Sequence, residues 1–486
     1  MINAAHSPLL CDIARNAEQT PDKIALVDGA CRVSYSQLIV HVESAALFLQ
    51  SLGLKPGDRI LLSAQKEAQF VYLYLAAHLL GVVNVVIDSA SPRERIDYII
   101  SVTAPRFLFG NGLEISGQRC IPLDEVPLQN VGAEVVAPSI TGNDVADVMF
   151  TTGTTGAPKG VLLSHANIIG SAQNTNGFIG IRPDDIEALA LPLSHSFGLG
   201  RLRCVLIAGA KLVLVNNFAN LKAFFNVIET EHVTGFGMVP AVWQYIKRLS
   251  GKRIARFADQ LRYIEIGSAA LPESDKRLLI EMFPTTRLCM HYGLTEASRT
   301  LFTEFHEHID NLDSVGRPAS PLVHVCVRAE DGSLVDDGVD GEICVRGNMV
   351  TRSYFLPQDN EGAFFGEWFR TGDWGHRDAD GDFYLTGRKK ELINIGGEKV
   401  SPVAIEEAIK ALGIPDCACI AFPDPNGVLG EVPKAFLVRG DSPLEVDDIK
   451  RQLSRLLPPN EIPVVWEWVD CIPRTASGKI QRLKLK

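Results

Sequence analysis

Apolar positions recur along the chain in two alternating rhythms. Gln37–Leu52 repeats them at helical spacing and closes on Gly53; Arg59–Ser63, after the Pro56-Gly57-Asp58 turn, is a short apolar run of strand length. The alternation continues with a helix over Gln65–Leu80, a strand over Val82–Ile87, a helix over Arg93–Val102 and a strand over Arg106–Phe109. Further along, Lys211–Val215 reads as a strand, Leu221–His232 as a helix and Leu261–Ile266 as a strand. This βα alternation predicts a layered α/β fold with largely parallel sheets. The most apolar stretch, Val71–Ile87, carries His78, Gly81 and Asn84. It is short for a membrane span of about 20 residues and reads as a buried helix, a Gly81 stop and a buried strand.

From about Gly316 the texture changes. Leu322–Arg328, Gly341–Val345 and Asp382–Leu385 read as short strands, separated by the turn pairs Asp331-Gly332, Asp337-Gly338 and Asp380-Gly381. They predict a small antiparallel, barrel-like β unit. After Gly387-Arg388-Lys389-Lys390 comes a final α+β section, with helices over Pro402–Ala411 and Val446–Leu457 and strands over Ala418–Ala421 and Lys434–Val438.

Composition narrows the partners. With 46% hydrophobic and 22% charged residues over 486 positions, the chain can fill several cores, which excludes wholesale disorder. Its net charge of −11 makes nucleic acid and anionic membrane surfaces poor partners. No basic segment followed by an apolar run opens the chain, so no secretory signal is expected. The ten cysteines match neither zinc-ligand spacing nor a compact disulfide framework; only Cys417 and Cys419 lie close, and free thiols in a reducing cytoplasm are expected.

The densest chemical signal is Thr151-Thr152-Gly153-Thr154-Thr155-Gly156-Ala157-Pro158-Lys159-Gly160. Four threonines, three glycines and a lysine share ten residues. Glycines let backbone N–H groups turn toward an anion, hydroxyls add donors, and the lysine adds a point charge. That is the chemistry of a polyphosphate cradle, although the run does not satisfy the Walker A pattern. No G-x-S-x-G elbow occurs, which sets a serine hydrolase aside.

The run resembles the phosphate loop of the ANL adenylate-forming superfamily, which includes acyl- and aryl-CoA synthetases, peptide-synthetase adenylation domains and luciferases. His291-Tyr292-Gly293-Leu294-Thr295-Glu296 resembles that family's Y-G-x-T-E motif, and Phe369–Asp373 its [YF]-x-T-G-D motif. Gly387–Ile393 with Gly396-Gly397-Glu398 resembles the hinge and the loop after it, and Pro473–Lys479 the C-terminal lysine motif. The segments stand in the family's order, so the resemblance covers essentially the whole chain.

The resemblance implies a large N-terminal domain (1–389) and a small mobile C-terminal domain (390–486) hinged at Lys390. It implies activation of a carboxylic acid by ATP with Mg²⁺, giving an acyl-adenylate and pyrophosphate. The acyl group then passes to a thiol, of CoA or of a carrier-protein phosphopantetheine. On that reading Thr151, Thr152, Gly153, Thr154, Thr155, Gly156 and Lys159 hold the β- and γ-phosphates. Tyr292 and Gly293 meet the adenine, Thr295 the α-phosphate, and Glu296 the metal. Asp373 takes the ribose hydroxyls, and Arg388 the ribose or phosphate. Lys479 stabilises the adenylation transition state, and Gly396 and Gly397 line the thiol tunnel after rotation about Lys390.

Leu191–Gly198 resembles the segment that opens the acyl pocket, placing His195 and Phe197 there with Gly267, Ser268 and Ala269. His195-Ser196-Phe197 lacks the acid that peptide-synthetase domains use for a substrate ammonium, which disfavours an α-amino acid. Taken singly, most of these residues have ordinary readings too: Tyr292 a core aromatic, Thr295-Glu296 a helix cap, Asp373 a turn residue, His195 a core histidine, Arg388 and Lys479 members of solvated basic patches. Arg201, Arg203 and Arg299 either meet a second carboxylate or phenolate on the substrate or are salt-bridged scaffold. A soluble cytoplasmic monomer or homodimer acting on a carboxylic acid is the expectation. A carrier-loading acyl-AMP ligase and a nucleotide-binding pseudoenzyme are the alternatives.

Overall fold

Local chemistry decides where the helices begin and end. The computed structural model describes residues 7–112, 120–129, 134–151, 158–395, 398–440, 443–474, 478 and 480–485. Ser34 Oγ accepts from the Gln37 N–H at 3.2 Å, and Gln37 Oε1 from the Ser34 N–H at 2.9 Å. This capping box starts the first predicted helix at Tyr35, two residues before its apolar rhythm. The next helix starts at Ala68 rather than Gln65. Gln65 is bound through its side-chain amide to Asn111, and Asp28 accepts from the Ala68 N–H at 3.0 Å. Gly81 ends that helix at φ 66°, as its sequence position predicts. The last long helix stops at Leu453 instead of Leu457, because the chain turns over Ser454–Leu457 into Pro458-Pro459.

The chain forms two compact units. The first takes the described residues up to His324 together with Val345–Phe369. Its strands are β1 (Ile24–Asp28), β2 (Cys31–Ser34), β3 (Arg59–Ser63), β4 (Val83–Ile87), β5 (Phe107–Phe109), β6 (Cys120–Ile121), β7 (Val145–Phe150), β8 (Gly160–Ser164), β9 (Ile186–Leu189), β10 (Lys211–Leu214), β11 (Gly235–Met238), β12 (Tyr263–Ile266), β13 (Arg287–Tyr292) and β14 (Leu301–Glu304). Its helices are α1 (Pro8–Gln19), α2 (Tyr35–Ser51), α3 (Ala68–Leu80), α4 (Arg93–Thr103), α5 (His165–Ile179), α6 (Ser196–Ile207), α7 (Leu221–Glu231), α8 (Pro240–Ser250) and α9 (Glu273–Met282). One sheet runs β6–β5–β3–β4–β7–β8 and the other β14–β13–β12–β11–β9–β10–β1–β2. Pairing is parallel except where β8, β14 and β2 close the edges antiparallel. Helix α3 is apolar on nearly every face and correspondingly buried.

The second unit takes Val325–Cys344 and the described residues from Arg370 onward. The predicted antiparallel unit is the sheet β15 (Val323–Arg328), β16 (Gly341–Gly347), β17 (Phe364–Phe365), β18 (Trp368–Arg377) and β19 (Phe383–Arg388), ordered β15–β16–β18–β17 with β19 on β18. A hairpin of β20 (Ile393–Ile395) and β21 (Glu398–Val400) follows. Then come β22 (Asp416–Pro423), β23 (Glu431–Val438) and β24 (Val465–Val469) with α10 (Pro402–Ala411) and α11 (Val446–Leu453). Cys417 and Cys419 face that last core beside Ile405, Ile409 and Ile449, and burial pushes the Cys417 thiol up to about 12. All ten cysteines are free. Among the described residues no helix is long and apolar enough to cross a membrane.

Candidate active site

Strands β7 and β8 form a hairpin, with Phe150 opposite Gly160, and the threonine–glycine run is its connection. The Thr151 N–H donates to the Lys159 carbonyl at 3.0 Å, closing the base of the loop. Thr152, Gly153, Thr154, Thr155 and Gly156 lie outside the described residues. Arg95 of α4 braces the entry, its Nη2 donating to the carbonyls of Phe150 (3.2 Å) and Thr151 (3.3 Å). Sequence reasoning passed over Arg95. Lys159 Nζ stands 3.5 Å from Asp359 Oδ1 and 5.0 Å from the centre of the Tyr354 ring.

Tyr354 is the second residue that the motifs missed. Its phenol donates to Glu296 Oε1 at 2.8 Å, and both side chains are buried. The segment around it is stitched to both neighbours: Val161 bridges to Tyr354, Val350 to Ala297, and the Thr351 N–H donates to the Glu296 carbonyl at 2.7 Å. One tyrosine therefore touches both the lysine expected on phosphate and the carboxylate expected on the metal. The residues before Glu296 form a tight turn after β13. The Leu294 and Ala297 backbones exchange hydrogen bonds (3.0 and 3.2 Å), and Gly293 and half-exposed Thr295 belong to that turn. The Tyr292 carbonyl accepts from the Thr300 N–H at 2.9 Å.

Two of the expected acyl-pocket residues, Phe197 and Gly267, lie against the same His291 ring. Phe197 sits in the first turn of α6, directly after half-buried His195, which occupies the helix-cap position in extended backbone. The His291 ring meets the Phe197 ring edge-on, with centroids 4.6 Å apart. Gly267 follows β12, where a Cβ would stand 2.2 Å from the His291 ring. Ser268, next to it, holds φ at +76°, a left-handed conformation that costs a non-glycine residue energy; half-buried Ala269 follows.

The three arginines are scaffold. Arg201 Nε donates to Glu187 Oε1 and its Nη1 to Glu265 Oε2, at 2.8 and 2.9 Å. Arg203 donates to Tyr74 and Asp147, each at 2.9 Å. Arg299 Nε donates to Glu265 Oε1 at 2.8 Å. Burial alone would raise Glu265, but Arg299, Arg201 and His291 outweigh it and hold its carboxyl below the usual carboxylate range.

In the second unit Asp373 and Arg388 face each other across β18 and β19. Arg388 Nε stands 2.8 Å from Asp373 Oδ1 and its Nη1 donates to the Thr371 carbonyl at 3.0 Å, while Thr371 Oγ1 accepts from the Asp373 N–H at 3.0 Å. Lys390 is exposed in the turn after β19. Gly396, Gly397 and Lys479 lie outside the described residues. Around Lys479, Arg474 bridges antiparallel to Ile480, and Arg474 Nη2 pairs with Asp416 at 2.7 Å.

No cluster of three or more histidine, cysteine, aspartate or glutamate side chains suited to a metal exists among the described residues. A single buried carboxylate, Glu296, fits Mg²⁺, which takes most of its oxygens from phosphate and water.

Comparison with known proteins gives concordant results. The AMP-binding enzyme family matches residues 13–355. A 2-succinylbenzoate–CoA ligase of Bacillus licheniformis is 31% identical, covering 97% of this chain and 98% of that relative. An oxalate–CoA ligase of Arabidopsis thaliana is also 31% identical, covering 96% and 95%. The o-succinylbenzoate CoA synthetase of Bacillus subtilis with its acyl-adenylate intermediate superposes at a TM-score of 0.88, with 26% identity over 98% of this chain and 97% of that one. The same synthetase has been solved with ATP and a magnesium ion.

Proposed function

Because the chain belongs to the AMP-binding enzyme family, as an ATP- and Mg²⁺-dependent acid–CoA ligase, we propose that Lys159, Tyr354 and Glu296 are the core of its adenylation site. The observation that carries this reading is the Tyr354 phenol on Glu296 with its ring under Lys159. Glu296 would hold the Mg²⁺, which would supply positive charge against the nucleotide phosphates. Lys159 and the Thr151–Gly156 loop bind the β- and γ-phosphates, and Tyr292, Asp373 and Arg388 bind the nucleoside. The substrate carboxylate oxygen attacks the α-phosphorus, the bond to pyrophosphate breaks, and Lys479 and Thr295 stabilise the charge that gathers there. The CoA thiol then attacks the acyl carbon and AMP leaves. Between these steps residues 390–486 rotate about Lys390, withdrawing Lys479 and bringing Gly396 and Gly397 to the thiol path, with His195 between acyl pocket and thiol.

The acids named in the two relatives share a carboxylate, and that shared group is what carries over. The missing acid in His195-Ser196-Phe197 speaks against an α-amino acid. Ten free cysteines support a cytoplasmic location.

The test is pyrophosphate release over fatty, aryl, dicarboxylic and amino acids, each without thiol, with CoA and with a holo-carrier protein. Multiple turnover with one acid class and CoA is expected. Turnover only with the carrier would replace CoA as acceptor. No release with any acid, together with ATP binding unchanged in Lys159→Ala, would overturn the adenylation site.

A further inference from the structure

The charged network around Glu265 is closed. Arg201 is shared by Glu187 and Glu265, Arg299 and His291 converge on Glu265 Oε1 at 2.8 and 2.7 Å, and the Tyr263 phenol donates to Glu187 at 2.6 Å. Two guanidinium ions balance two carboxylates, and all four are at most 1% exposed. Burial pushes the His291 imidazole down, against the pull of Glu265.

One member reaches out of the network. Arg299 Nη2 donates to the Phe197 carbonyl at 3.0 Å, and its guanidinium lies 5.1 Å from the centre of the Phe197 ring. His291 meets the same ring from another side. Phe197 is thus gripped at backbone and ring by the two groups that Glu265 holds. The fit is close: a Cβ at Gly200, one turn on in α6, would stand 2.4 Å from Arg299 Nη1. Arg299 itself sits at φ +57°, a left-handed conformation retained where surrounding contacts over-determine it.

We propose that Arg299 is a positioning residue which, directly and through Glu265, sets Phe197 and His291 as one aromatic wall of the acyl pocket, so that the acids accepted there carry a single carboxylate and an apolar far end. This rests on the adenylation reading and on Phe197 facing the acyl group. It also separates the chain's substrate from the dicarboxylic acids named in its relatives, since Arg201 and Arg299 are consumed by Glu187 and Glu265.

The experiment measures pyrophosphate release by the full chain with length-matched pairs of monocarboxylic and dicarboxylic acids, for wild type, Arg299→Lys, Arg299→Met and Phe197→Leu. Wild type should prefer the monocarboxylic member at least about tenfold in kcat/KM, the scale of one apolar-pocket contact. Phe197→Leu should shift the preferred acid to a larger one. Arg299→Met should raise the KM for acid while leaving the KM for ATP unchanged, and Arg299→Lys should recover part of that loss. Equal or better turnover of dicarboxylic members overturns the substrate class. Arg299→Met acting on both KM values alike, or on neither, overturns the positioning role. If Arg299→Met does not fold, an unchanged acid preference in Arg299→Lys and Phe197→Leu overturns it instead. No release by wild type with any acid, together with ATP binding unchanged in Lys159→Ala, would overturn the adenylation reading first, and this inference with it.

Discussion

Replacing Tyr354 with phenylalanine separates two contacts that one side chain makes. The substitution deletes the phenol that donates to Glu296 Oε1 at 2.8 Å and leaves the ring beneath Lys159 Nζ at 5.0 Å. A hydrogen bond to a charged group is worth about 1.5–3 kcal/mol, and its loss frees the buried carboxylate to turn away from its present position. At 1.36 kcal/mol per factor of ten, the pyrophosphate-forming step should slow by roughly ten- to a hundredfold. The cation–π contact is worth about 0.5–1 kcal/mol where lysine is partly exposed and should survive. The assay is pyrophosphate release under a Mg²⁺ titration with a turned-over acid. Tyr354→Phe should need more Mg²⁺ and lose kcat with the acid KM unchanged; Tyr354→Ala should additionally raise the ATP KM. A Tyr354→Phe enzyme with wild-type Mg²⁺ dependence and a rate within twofold would refute the reasoning.

Four further outcomes are expected. Lys479→Ala should slow adenylation by about 10²–10³ while still transferring a supplied acyl-adenylate to CoA, measured by quenched-flow of each half-reaction. Asp373→Asn discharges one member of the 2.8 Å pair with Arg388 and should raise the ATP KM by about tenfold or more, with the acid KM the control that must not follow. Lys390→Pro should leave pyrophosphate release intact and depress thioester formation; normal thioester rates would remove the rotation from the scheme. The fourth concerns pH. Burial and neighbouring His78 hold the folded His165 imidazole down at about 3, against its ordinary 6.5. The unfolded chain therefore takes up a proton that the folded chain refuses, so this contribution is whole above pH 6.5 and is lost as pH falls toward 3. Denaturant titrations should show about 2 kcal/mol lost from this group by pH 5. His165→Phe should flatten that slope, and a slope unchanged by it would refute the assignment.

What could be read from the sequence was local. Parallel strands buried on both faces are continuous apolar runs, so β3, β4, β10 and β12 stood out within a residue or two of their true ends. Motif residues were found because their spacing is short: Asp373 and Arg388 meet across one hairpin. What escaped depends on distant partners. Helix α3 starts where Asp28, 40 residues earlier, caps it. Tyr354 acquires a role only beside Glu296, 58 residues away. Arg201 could be read as a substrate anchor or as scaffold until Glu265, 64 residues on, supplied its counter-charge.

The closed ion network also bears on how this enzyme can change. Breaking one partner of a buried pair costs about 3–5 kcal/mol, a large share of the roughly 5–15 kcal/mol that holds a typical domain together. Glu187, Arg201, Glu265 and Arg299 can therefore be exchanged only in compensating sets, a narrow path for stepwise mutation. Phe197 itself carries no charge and no such debt, and can vary alone. Divergence in acid preference should accordingly run through the apolar lining, with the charges beneath it handed down as a block.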